Sequence, residues 1–174
     1  MNFFKVGSAV LIVALALVLN AQHFVSYEPI AKFSSPSISK VYTDKKANNL
    51  DEAIKMALKI TTNQLTFKLK SSGNSDVNYL VKSGQAHCVG YANFYNAMLK
   101  SILINSNIKD CKIYRVRATV IFAGIDLTSI SDDPSFKDHD ISMVIDYKNN
   151  VKYLIDPSLS EVMGSIIQQS SVLE

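Results

Sequence analysis

Cys88, His139 and Asp156 are the residues of this chain whose types and order suit nucleophilic chemistry. Cys88 sits in GQAHCVGYANFY, where a Gly-containing loop gives way to a helical pattern. A thiolate is the nucleophilic form of cysteine. The unpaired N–H groups and dipole of a helix N-terminus favour that form. Such a nucleophile needs a base, and the base needs an acceptor that orients it. The chain has three histidines. His23 lies at the boundary of the N-terminal apolar segment. His87 adjoins Cys88, but neighbours on a helix diverge by about 100° and do not face each other. His139, in KDHDISMVID, enters an apolar strand pattern, and Asp156, in YLIDPSL, ends the next one.

The elements that must bring these three together can be read from the pattern. Cys88 to Ile104 is apolar around most of its circumference, which predicts a helix buried in the middle of a domain. Lys112 to Phe122 reads as a strand entering the core. Ile141 to Tyr147 and Val151 to Ile155 read as two further strands, joined by Lys148-Asn149-Asn150 as a hairpin turn, with Pro157 stopping the second. A hairpin brings His139 and Asp156 to one edge of the sheet. Its register decides whether they share a face. Pairing apolar Ile141, Met143 and Ile145 with Val151, Tyr153 and Ile155 puts them on opposite faces. A bulge, or a two-residue Asn149-Asn150 turn, puts them on the same one.

Upstream, Asn49 is the expected N-cap of a helix with Asp51 and Glu52 in its first turn. Leu50, Ala53, Ile54, Ala57, Leu58 and Thr61 form its apolar face. Leu65 to Lys70 alternates and is either a strand or a helix end. Residues 71–76 form a loop, as do the polar residues 123–138. The tail to Glu174 suits one more helical turn or strand. Residues 22–48 are rich in Ser, Pro and Lys with no sustained period, and read as a linker with one short strand near Ser39 to Tyr42. Residues 49–174 then form one domain. Helices followed by an antiparallel sheet make the class α+β.

Lys5 precedes an uninterrupted apolar run from Val6 to Leu19. The run matches the apolar core of a signal peptide and is short for a membrane span, which needs ~20 apolar residues. Residues 1–21 are therefore a signal peptide, with Ala21 before the cleavage point, or an uncleaved N-terminal membrane anchor. Either one exports the rest of the chain to a periplasmic, secreted or outward-facing location. Export raises the question of a disulfide between Cys88 and Cys111, the two cysteines. A helix of roughly 15 residues separates its ends by more than about 20 Å. A disulfide needs Cα atoms within about 7 Å. Both thiols are expected to stay free, Cys111 packing as a small hydrophobe.

The 174 residues carry a net charge of +3 with no basic block, which argues against nucleic acid. Asp132, Asp133, Asp138 and Asp140 cluster, but their spacing fits no calcium loop, and no metal or cofactor is expected.

In the order of Cys88-Val89-Gly90, His139-Asp140-Ile141 and Asp156-Pro157-Ser158, the chain resembles the transglutaminase-like (papain-like) superfamily of cysteine enzymes. The resemblance covers about residues 50–160. It implies a Cys-bearing helix packed on an antiparallel sheet, with Cys88 as nucleophile, His139 as base and acid, and Asp156 as orienter. It implies acyl transfer on a peptide or protein substrate: a hydrolase of the cysteine protease kind, or an acyltransferase. Gln85 is an oxyanion partner by analogy with glutamine-assisted cysteine proteases. Other readings stand beside it. Cys88 can be an inert core cysteine, His139 a strand-edge histidine and Asp156 a turn-forming residue. The whole can then be a non-catalytic binding or assembly module, or the thiol a redox or attachment site.

Overall fold

The computed structural model describes residues 21–35, 42–68, 74–129 and 139–172. Helix α1, Leu50–Gln64, starts where its caps dictate. Asn49 is extended and its side chain accepts from the Glu52 N–H at 2.9 Å. The Glu52 carboxylate reaches back to the Asn48 N–H at 2.8 Å, so two donors at the helix entry are satisfied reciprocally. The buried face is Leu50, Ala53, Ile54, Ala57, Leu58 and Thr61, the face expected from spacing. After α1, Thr66–Phe67 (β2) pairs in parallel with Gln85–Ala86 (β3), so within Leu65 to Lys70 these two residues are strand, while residues 69–70 lie outside the described residues. Between them lies α2, Val77–Ser83, capped by Asp76 through the Tyr79 N–H and closed by Gly84 at φ 64°.

Helix α3, Cys88–Asn105, is buried without interruption from Gly90 to Leu99. It lies between α1 on one side and the sheet on the other. The sheet is antiparallel, in the order β1 (Val25–Ser34), β4 (Cys111–Phe122), β6 (His139–Asp146), β7 (Val151–Ile155), β8 (Ile167–Ser171), with β5 (Ile125–Asp126) pairing with the end of β4 on the edge opposite β1. The chain is α+β, with the Cys-bearing helix packed on an antiparallel sheet.

Both faces of the sheet are covered. Val144, Tyr153 and Ile155 pack with α1 and α3. Val25, Tyr27, Val116, Ala118, Ile141, Met143 and Leu154 form a second core on the far side, flanked by Leu127, Leu159 and Met163. The second core accounts for the near-continuous burial of β6.

Several expectations are corrected. Residues 22–48 are not all linker: Val25–Ser34 is a strand across from β4. Pro29 and a register shift between Pro29 and Ala31 interrupt its alternation, and an edge strand tolerates both. Of the strand expected near Ser39 to Tyr42, only Tyr42 is described, and it is not in a strand. Part of the loop 123–138 is ordered as β5 and a 3-10 turn, Leu127–Ser129; residues 130–138 lie outside the described residues. The tail contains both a short helix α4, Ser160–Met163, and β8. The apolar run Val6 to Leu19 also lies outside the described residues, among which no helix is long and apolar enough to cross a membrane.

Candidate active site

The hairpin register settles which face His139 and Asp156 occupy. Asp146 pairs with Val151 and Ser142 with Ile155, across a four-residue turn from Tyr147 to Asn150. Neither a bulge nor a two-residue turn is involved. Asp146 builds the turn: Oδ1 accepts from the Lys148 and Asn149 N–H groups at 3.0 and 3.1 Å. Asn150 closes it at φ 55°, which asparagine tolerates. Odd positions of β6 thus share a face with even positions of β7, and His139 comes to lie with Asp156. The odd-on-odd pairing fails because both faces are buried, so apolar residues of either parity find a core.

Cys88 is the first residue of α3, and its neighbours fix the start of that helix. Gly84 turns the chain, β3 adds two residues, and His87 enters the helix extended with no side-chain cap. A Cβ at Gly90 would lie 2.8 Å from the Ala86 Cβ and 3.4 Å from Leu80 Cδ2. Only glycine lets β3 and α2 approach the first turn so closely. Cys88 sits in the first turn of the helix, whose leading N–H groups have no side-chain cap.

His139, the first residue of β6, hydrogen-bonds to both other members of the set. Its Nε2 lies 2.5 Å from Asp156 Oδ2. It also shares a side-chain hydrogen bond with Cys88. Burial opposes charge on the imidazole. The charge and hydrogen bond of Asp156, with the Cys88 sulfur, overcome it and raise the pKa from 6.5 to about 10.

Asp156 has no exposed surface. Its Oδ1 accepts from the Ser158 N–H at 3.0 Å, the Ser158 hydroxyl at 2.8 Å and the Leu159 N–H at 2.9 Å. Its Oδ2 faces His139 and accepts from the Tyr27 hydroxyl at 2.7 Å. Asp156 therefore both forms the turn and bonds to His139, one on each oxygen. Burial works to raise its pKa, but the His139 charge and hydrogen bond, then the Leu159 N–H and Tyr27, hold it below its ordinary value.

Tyr27 was legible neither as a strand residue nor as a site residue. Its ring stacks beside the His139 imidazole, with centroids 6.3 Å apart and planes 14° off parallel. The available signal was the short alternation Val25-Ser26-Tyr27-Glu28, cut off by Pro29. Beside the helix start, Glu161 Oε2 accepts from the Tyr91 hydroxyl at 2.5 Å and the Phe67 N–H at 2.9 Å. It ties α4 and β2 to the first turns of α3.

The structure thus joins Cys88, His139 and Asp156. The Gln85 side chain is exposed, and its amide oxygen accepts from Lys68 Nζ at 3.2 Å. Asp140 points to the opposite face from His139 and is buried 3.3 Å from Arg115. Asp132, Asp133 and Asp138 lie outside the described residues, among which no group of three or more His, Cys, Asp or Glu side chains is placed for a metal ion. Cys88 and Cys111 form no disulfide. A cavity of about 490 Å³ lies at the far end of α3, lined in part by Lys100, Leu103, Cys111 and Tyr114; Cys88, His139 and Asp156 do not line it. The chain matches no family model, no curated protein and no solved structure.

Proposed function

We propose that this is an exported, cysteine-dependent acyl-transfer enzyme that hydrolyses a peptide or isopeptide amide. The hydrogen-bonded chain from the Cys88 thiol through the His139 imidazole to the Asp156 carboxylate carries the reading. Export rests on the apolar N-terminal run.

His139 takes the proton of the thiol, and Asp156 stabilises the imidazolium that results. The sulfur adds to the amide carbonyl carbon. The N–H groups at the start of α3, that of Cys88 first, face the oxyanion that forms. His139 returns the proton to the leaving nitrogen as the C–N bond breaks, which leaves a thioester. A water molecule, deprotonated by His139, adds to the thioester, and the carboxylic acid departs as the thiol is restored. The Asp156 carboxylate favours the imidazolium that faces the thiolate, and the amine-like nitrogen of the tetrahedral adduct takes the proton as the C–N bond breaks. Resemblance to the transglutaminase-like enzymes supports the same assignment of roles. A non-catalytic module has no need of the Cys88–His139 hydrogen bond or of the buried carboxylate behind it.

Intact-mass spectrometry after mixing with p-nitrophenyl acetate tests the reading. It predicts a transient acetyl adduct that maps to Cys88 and is absent from Cys88→Ala. An adduct pattern identical in the two proteins contradicts it.

A further inference from the structure

We infer that Tyr27 is a positioning residue for the Cys88–His139–Asp156 set, so that β1, the strand after the N-terminal apolar run, completes the site. The inference rests on the enzymatic reading above and adds a residue 129 positions from Asp156 in sequence.

Two contacts made by one side chain carry it. The Tyr27 hydroxyl donates to Asp156 Oδ2, the same oxygen that faces His139 Nε2. The Tyr27 ring lies nearly parallel to the imidazole, at a separation within the range of offset stacking. The hydroxyl fixes the rotation of the carboxylate, whose other oxygen is held by Ser158 and Leu159. The ring gives the imidazole a wall on one face. Together they limit the two motions that would break the relay, rotation of Asp156 and swinging of His139 away from Cys88.

Tyr27 is itself rigidly held. It is 7 % exposed and packs in the second core with Val25, Ala118 and Val120, opposite Val120 in the β1–β4 ladder. Burial and the neighbouring carboxylate push its own ionisation far up, so the hydroxyl remains a donor at any working pH. A segment that looks like a tether between the apolar run and the domain is thus part of the site, and trimming the chain to residue 49 removes it.

The test is the rate of Cys88 alkylation by iodoacetamide in the full chain carrying Cys111→Ser, with the His139 imidazole ¹⁵N resonances as a second readout. Tyr27→Phe keeps the ring and deletes one hydrogen bond, and slows labelling by about fivefold. Tyr27→Leu also removes the stack and slows it further. Both shift the His139 resonances. On an Asp156→Asn background, Tyr27→Phe changes the rate by less than about twofold, because the shared acceptor is already altered. That cycle separates positioning from a general loss of stability, and Tyr27→Phe carries the test should Tyr27→Leu fail to fold. Unchanged labelling and unchanged resonances in Tyr27→Phe, with slow labelling in His139→Gln, overturn the inference alone. Labelling of His139→Gln at the parent rate overturns the enzymatic reading, and this inference with it.

Discussion

His139 Nε2 lies 2.5 Å from Asp156 Oδ2 because Asp146, at the far end of the same strand, pairs with Val151. A shift of that register by one residue would send Asp156 to the other face of the sheet. The contact on which the proposed chemistry rests is therefore set by a turn four residues long, from Tyr147 to Asn150, at the opposite end of the hairpin.

Removing the carboxylate leaves a buried imidazolium without its partner and several donors without an acceptor. Asp156→Ala is expected to cost about 3–5 kcal/mol, in the range for breaking a buried charged pair. Asp156→Asn keeps the shape and one acceptor oxygen, and is expected to cost less while still slowing Cys88 alkylation. Urea unfolding of both variants measures the difference. Equal stability of Asp156→Ala and the parent chain contradicts the buried-pair description.

The same pair predicts how stability varies with pH. The folded pKa of His139, about 10, lies above its ordinary 6.5, so its contribution is fully present below pH 6.5 and is lost as pH rises towards 10. Asp156 runs the other way: its folded pKa lies below 3.8, so its contribution is present above that value and lost as pH falls through the lower one. The melting temperature should be highest between these limits and decline from pH 6.5 to 10. His139→Gln should remove most of the alkaline decline, which thermal scans across that range will show. A decline of the same size in the variant means that other groups cause it.

Gly90 sets how closely β3 approaches the start of α3. The added methyl of Gly90→Ala meets Ala86 Cβ at 2.8 Å. The strain is expected to cost about 1–3 kcal/mol and to displace the helix start. Cys88 alkylation should slow along with the fall in melting temperature. Ala86→Gly removes the opposing carbon, and the double variant should recover much of both losses. Failure of Ala86→Gly to restore anything would show that the contact is not what Gly90 serves.

The parts legible in the sequence are those where one physical rule acts alone. Asn49 and the one-sided apolar face of α1 specify that helix residue by residue. The all-round apolar character of α3 places it between two layers. The parts that were not legible are those where two rules compete. Pro29 and the shift after it break the period of β1, which hid the strand and with it Tyr27. Burial on both faces of β6 removes the information that alternation usually carries, so the pattern alone does not fix the register. Helix α2, seven residues long with Val77 and Leu80 as its buried anchors, is too short to display a period. Asp156 suits a turn and a histidine partner alike, and the structure shows that its two oxygens divide these contacts.

The most direct test of the central claim is whether Cys88 owes its reactivity to His139. Iodoacetamide labelling at pH 7 is compared in the Cys111→Ser chain with and without His139→Gln, and the labelled site is mapped by mass spectrometry. Cys88 is expected to label at least about tenfold faster when His139 is present, the effect of a positioned base. Equal rates, in variants that fold alike, would mean that the thiol and the imidazole are neighbours without chemistry, and the enzymatic reading would fail.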